Sequence, residues 1–213
     1  MGSGMDADWE FEVGGEAPVI DAAWTGFVDL RLEPERADEL AETAEFPALA
    51  GVLAKLNGPG SALWTSKCDV WQVHDRAQWN ADELDASTGC ATHAMACYID
   101  LLPRSDRQWR LKDKVADACS GFCDRMHAVP LRCCRADLVI RRAIVEAHQD
   151  AAERMDSDGM DLGITGYFIG CGSSAAQAAV ALKGALDAFA GVILAAPAPA
   201  GDTSKLQWES TGE

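Results

Sequence analysis

The hydrophobic pattern along the chain changes from a strand period to a helical period around residues 170–172. Residues 162–169 are rich in β-branched and aromatic side chains and end at glycines, which is typical of a half-buried strand. After Gly172 the apolar positions recur at helical spacing. These positions are Leu182, Leu186, Phe189 and Ile193. The pattern predicts a strand, a Gly-Cys-Gly turn and a long helix whose N-cap is Ser173 or Ser174.

Four earlier segments also have the alternating or continuously apolar pattern of strands. They cover residues 18–31, 62–73, 92–102 and 132–145, and a short edge strand is possible at residues 9–13.

Helical periodicity and capping residues predict three further helical segments. One runs from Pro34 and is broken at Pro47 before it ends near residue 57, and another lies within residues 106–127. Asn80 and Glu83 have the spacing of a capping box, which predicts one short helix in the connection after the second strand.

The order of the main elements is β, α, β, β, α, β, β, α, and its first six match the split βαβ pattern of ferredoxin-like domains. We therefore expect a single α+β domain with a ferredoxin-like βαββαβ core, an added antiparallel strand and a C-terminal covering helix. The domain should span residues 18–196. A loose acidic segment (1–17) should precede it and a flexible tail (197–213) should follow it.

The chain of 213 residues has a net charge of −16, which changes the range of expected partners. Residues 1–50 carry a balance of −11, whereas residues 101–150 carry +3. Acidic surfaces repel phosphate backbones, so nucleic acid is not expected as a partner unless the basic residues of 104–142 collect on one face. No signal-peptide pattern and no uninterrupted apolar run of membrane-spanning length is visible, which predicts a cytoplasmic protein without a membrane span.

Eight cysteines without a CxxC pair offer one candidate metal site. Cys119, Cys123 and His127 form a connected strip on a predicted helix and could bind a transition metal such as zinc. A fourth ligand would have to come from elsewhere, with Cys90, His93 and Cys97 the nearest by type. The strip turns from the apolar face towards solvent, so core packing of Cys119 explains part of the pattern equally well.

The turn formed by Gly170, Cys171, Gly172, Ser173 and Ser174 is a candidate ligand site. Backbone N–H groups at a helix start attract anions and would lower the pKa of a cysteine placed there. The complete phosphate-loop pattern is absent, and the alternative is a strand-to-helix turn whose glycines are required by backbone shape.

A third candidate is the charged face of the strand at residues 132–145. Arg135, Asp137 and Arg141 should project on one side, where Lys67 or Asp69 from a neighbouring strand could complete an ion-pair ladder or an anion site. A solvated sheet face is the alternative. The adjacent Cys133 and Cys134 should point to opposite faces of this strand and so could not share a metal.

Three functional hypotheses remain open at this stage. The first is a non-catalytic binding or assembly domain, expected to be a homo-oligomer because seven tryptophans exceed what one core accommodates. The second is a cysteine-based metal-binding or thiol protein. The third is an enzyme acting on a small anionic substrate held between the turn at residues 170–174 and Arg135 or Arg141, although no acid-base pair or nucleophile triad is visible in the spacing.

Overall fold

A computed structural model describes residues 4–12, 19–21, 28–87, 90–104, 111–146 and 161–195. The strands are β1 (Asp6–Phe11), β2 (Val19–Asp21), β3 (Leu63–Val73), β4 (His93–Pro103), β5 (Cys134–Glu146) and β6 (Asp161–Gly172). The α-helices are α1 (Ala41–Glu45), α2 (Ala48–Asn57), α3 (Lys112–His127) and α4 (Ala175–Ala195), and short 3-10 helices lie at Pro34–Glu39 and Arg76–Gln78.

Five strands form one mixed sheet in the order β1-β5-β6-β4-β3. The neighbours from β5 to β3 are antiparallel, whereas β1 is parallel to β5. The short β2 pairs with the C-terminal end of β5, also in parallel, so that β1 and β2 lie one after the other along the same edge of β5. The molecule is therefore an α+β protein, as its pattern predicted.

The ferredoxin-like strand order is not confirmed. Within the described residues, only Val19–Asp21 of the segment predicted as a long first strand is extended, and it lies at the edge next to β5. The strand predicted as a late addition is β6, which occupies the centre of the sheet between β5 and β4. Leu162, Ile164 and Thr165 are all buried, and they point to both faces of β6, which fits a central strand.

Several predicted elements are confirmed with small changes of boundary. The strand at residues 62–73 is β3, the helix after Pro47 ends at Asn57, and the possible edge strand is found at Asp6–Phe11. The short helix predicted from Asn80 is wrong, because residues 81–85 form turns. The Asn80 side chain accepts a hydrogen bond from the Asp82 N–H, so the residue caps a turn rather than a helix.

The longer helices pack against one face of the sheet. Helix α4 lies across β6 and β4, α3 lies against β1 and α4, and α2 packs on β3 and α4. At the centre, the rings of Phe168 and Phe189 are 4.9 Å apart, and both side chains are fully buried. The opposite side of the sheet has no helix of comparable length among the described residues, and we refer to it as the open face.

Helix α4 is long and apolar enough, by length and composition alone, to cross a membrane. The sequence analysis expected no membrane span because Lys183 and Asp187 interrupt this apolar segment. Its stripe of Leu182, Leu186 and Phe189 is buried against the sheet, so α4 serves as the central core helix of this fold.

Candidate functional site

The open face carries a diagonal row of three aromatic rings. Trp71 of β3, Tyr98 of β4 and Tyr167 of β6 lie on successive strands, and the ring centroids of each neighbouring pair are 6.3 Å apart. The rings are tilted against one another by 55° and 51°, as aromatic pairs favour. Trp71 is 38% exposed and Tyr167 is 37% exposed. We call these three residues the aromatic diagonal.

Arg141 of β5 continues the row beyond Tyr167. Its Nη2 donates a hydrogen bond to the Tyr167 hydroxyl at 3.2 Å, and its guanidinium carbon lies 5.9 Å from the centre of that ring. Its Nε lies 3.1 Å from a carboxylate oxygen of Glu12, in an ion pair without the geometry of a hydrogen bond. The aromatic diagonal thus ends at a partly compensated cation.

Arg135 is held by two carboxylates on the same face. Its Nε donates to Asp137 at 2.8 Å and its Nη1 to Asp6 at 3.0 Å, and the hydrogen bond with Asp137 raises the pKa of Arg135. The predicted ladder between this strand and Lys67 or Asp69 is wrong, because β6 and β4 separate β5 from β3. The ion pairs form with the N-terminal edge strand instead.

Asp100 of β4 is the most strongly buried carboxyl group on this face. Burial raises its pKa, although the Thr165 hydroxyl donates a hydrogen bond to it and the cations Arg141 and Lys67 lower the pKa. Desolvation is the largest of these influences, so the charged form of Asp100 is unfavourable in the folded protein.

Replacing Asp100 by asparagine should make the protein more stable at pH 7. Because the folded-state pKa of Asp100 is raised, the folded protein binds more protons than the unfolded chain at intermediate pH. The contribution of Asp100 to the free energy of unfolding therefore falls as pH rises from about 3.8 through the folded pKa. Asparagine keeps an acceptor for Thr165 and removes the buried charge. Urea unfolding should show the gain at pH 7 and little gain near pH 4.

The matched control for this substitution is Asp69→Asn on the exposed part of β3. It removes one carboxylate of the same face without relieving a buried charge, so we expect a smaller change. An Asp100→Asn protein that is no more stable than the wild type at pH 7 would show that Arg141 and Lys67 outweigh burial.

The predicted ligand turn lies at the junction of β6 and α4, and its polar groups already bond to each other. The Ser174 hydroxyl accepts from the Gln177 N–H at 3.3 Å, while the Ser173 N–H and hydroxyl both donate to the Gln177 amide oxygen. Cys171 is 2% exposed, and burial raises the pKa of its thiol to about 11. The lowering of this pKa expected from the sequence is therefore wrong.

The two candidate arginines do not converge on the turn. They lie six residues apart on β5, or about 20 Å along an extended strand. In the register between the two strands, Arg135 lies opposite Ile169 and Arg141 opposite Gly163. Of the two, only Arg135 lies near residues 170–174, and its guanidinium already binds Asp137 and Asp6.

The predicted metal strip lies on α3 with its thiols in the core. Cys119 and Cys123 are buried, and burial raises the pKa of each thiol to about 12, whereas His127 is exposed. Among the described residues, no group of three or more His, Cys, Asp or Glu side chains is placed to hold a metal ion. The two thiols act as apolar packing groups.

A feature that the sequence did not indicate is a strap, residues 76–87 and 90–91, folded over one end of the open face. Arg76 stacks on the Trp79 ring at 4.3 Å, and Arg132 binds Asp85 at 2.7 Å, which ties the strap to the start of β5. Between the strap and β1 lies a cleft of about 380 Å³. Its lining includes Asp8, Glu10, Trp79, Glu83, Leu84, Arg135, Asp137 and Ile169.

Comparison with known protein families, with characterised proteins and with solved structures finds no match to this chain.

Proposed function

We propose that this protein is a non-catalytic assembly protein that forms a homodimer by pairing the open faces of two sheets. The observation that carries the proposal is the aromatic diagonal. Exposed rings of this size, grouped on one face, are typical of protein interfaces, where tryptophan and tyrosine supply most of the binding energy. The helices of the described residues pack on the other face, so Trp71 and Tyr167 remain partly exposed in the middle of this one.

The charges around the aromatic diagonal favour a second copy of this chain as the partner. A two-fold interface brings one patch against itself, so the patch must contain both signs of charge. Arg135, Arg141 and Asp137 lie on β5 and Asp69 lies on β3 at the other side of the same face, so the patch carries both signs of charge. A two-fold axis parallel to the strands would place β5 of each copy over β3 of its partner, with the aromatic rings of the two copies facing each other in the middle of the interface.

The state of the thiols supports a non-catalytic role in the cytoplasm. All eight cysteines are free, as expected in a reducing compartment. The six thiols with a shifted pKa have it raised, chiefly by burial, which makes them poor nucleophiles towards molecules in solution. They are Cys68, Cys97, Cys119, Cys123, Cys134 and Cys171.

Light scattering at micromolar concentration should show a dimer, and Trp71→Glu or Tyr167→Glu should each convert it to a monomer. A carboxylate in place of an exposed ring leaves an uncompensated charge inside the interface. Loss of one central aromatic contact weakens a typical interface by about 2 kcal/mol or more, which is about 30-fold in dissociation constant. Far-UV circular dichroism should be unchanged.

The control is Val180→Glu, a highly exposed position on α4 at the helical side of the sheet. This variant should remain a dimer. A wild-type monomer at micromolar concentration would refute the assembly proposal. A dimer that survives both sheet-face substitutions but dissociates with Val180→Glu would refute the choice of face.

A further inference from the structure

The structure brings Cys133 and Cys171 together at the strapped end of the open face, although they are 38 residues apart in the sequence. Cys171 N–H donates to the Cys133 carbonyl at 2.8 Å, next to the paired residues Cys134 and Gly170. Cys133 therefore lies opposite Cys171, one step beyond the last ladder pair. Residues that face each other across antiparallel strands have Cα atoms about 4.5–5.5 Å apart, which lies inside the range of about 4.4–6.8 Å that a disulfide needs.

The two side chains also point into the same small cluster. Cys133 and Cys171 both pack with Leu84, Ala91 and Ala94 beneath the strap. Alternation along β5 places Cys133 on the open face with Arg135, and the register places Cys171 on the same face with Ile169. The Cys133 backbone itself is left-handed, with φ of 62°. The Cys133 thiol contributes to the raised pKa of Cys171, as expected for close neighbours.

The other neighbouring thiols lack this geometry. Cys68 and Cys97 lie diagonally on adjacent strands, where Cα atoms are about 7–8 Å apart. Cys119 and Cys123 are one turn apart on the rigid α3. Among the cysteines of the described residues, only the pair beneath the strap lies opposite each other on two chain segments.

We propose that Cys133 and Cys171 are an oxidisable thiol pair that closes to a disulfide and reopens under a dithiol reductant. With hydrogen peroxide as oxidant, the partly exposed Cys133 is oxidised to a sulfenic acid and one water is released. The Cys171 thiol then attacks that sulfur and a second water leaves, so two thiols and one peroxide give one disulfide and two waters. A dithiol returns both thiols and is itself oxidised to a disulfide.

The pair is separate from the aromatic diagonal, so this inference does not depend on dimer formation. A disulfide here would join the start of β5 to the end of β6, directly under the strap. It would close a long loop through residues 134–170 and restrict the unfolded chain. The strap packs on Cys171 through Leu84 and Ala91. The disulfide would therefore form where the strap, which lines one side of the cleft, contacts the sheet.

The experiment treats native Cys90→Ser protein with hydrogen peroxide, alkylates the remaining thiols in denaturant and measures the intact mass. The substitution removes the one exposed cysteine among the eight, which could otherwise form links between molecules. We expect two fewer alkylated thiols, a Cys133–Cys171 linked peptide, and reversal by dithiothreitol. The melting temperature of the oxidised protein should rise by about 5 °C or more.

Adding Cys133→Ser should abolish both the loss of a thiol pair and the rise in melting temperature, whereas adding Cys68→Ser should preserve both. Peptide mapping of the Cys90→Ser protein tests the pairing even if the variant with Cys133→Ser added fails to fold. Full alkylation of all thiols after oxidation, or a linked peptide from any other pair, would overturn the proposal.

Discussion

Replacing Phe168 by alanine should lower the free energy of unfolding by about 3–5 kcal/mol. The Phe168 side chain is fully buried at the centre of β6, and its ring lies 4.9 Å from that of Phe189 on α4. The substitution removes apolar surface from the core and leaves a cavity that the rigid sheet cannot close. It also removes an aromatic pair, which contributes about 0.5–1.5 kcal/mol beyond area burial. Urea unfolding followed by circular dichroism measures the change.

The control for this loss is Val180→Ala on the exposed side of α4. It removes apolar carbon atoms from solvent-exposed surface and should change the free energy of unfolding by no more than about 0.5 kcal/mol. A Phe168→Ala protein that unfolds at nearly the wild-type urea concentration would mean that α4 does not pack on β6 as described.

The local elements with strong periodicity could be predicted from the sequence. Alternation placed Cys134, Ala136 and Leu138 in the core and their neighbours Arg135 and Asp137 on the other face, as the structure has them. Helical spacing likewise identified the buried stripe of α4. In these segments one face is buried and the other is not, so apolar residues recur with the period of the strand or helix.

The order of the strands could not be predicted in the same way. Alternation indicates which residues of a strand share a face but not which strand lies beside it. The central position of β6 follows from its pairing with both β5 and β4, and these contacts span distant parts of the chain. The short helix expected at Asn80 failed for a related reason, because Asn and Glu three residues apart can cap a turn as well as a helix.

The residues of the candidate site could likewise be identified from the sequence, but their arrangement could not. The three rings of the aromatic diagonal were visible as residues, but they come from strands that are neighbours only in the folded sheet. The pairing of Cys133 with Cys171 was hidden because the alternation within one strand does not show that β5 pairs with β6, nor in which register. Long-range strand register decided both features.

Replacing Gly170 by alanine should destabilise the protein by about 3 kcal/mol or more, whereas Gly191→Ala should stabilise it by about 0.5–1 kcal/mol. A Cβ at Gly170 would lie 2.2 Å from the backbone nitrogen of Leu182 and 2.7 Å from the carbonyl oxygen of Ala178. These are backbone atoms of α4 and cannot rotate away, so the helix would have to move off β6. A Cβ at Gly191 would meet nothing within 4 Å, and alanine there favours the helix.

This pair of variants also distinguishes two reasons for the Gly-Cys-Gly sequence. The backbone of Gly170 is not in the left-handed region, so the turn does not need glycine for its conformation. The glycine is needed because β6 and α4 approach each other more closely than any side chain permits. If Gly170→Ala retained wild-type stability and Gly191→Ala did not exceed it, this close packing would be refuted. Packing would then not explain the glycine at position 170, and the ligand-site explanation of the turn would remain.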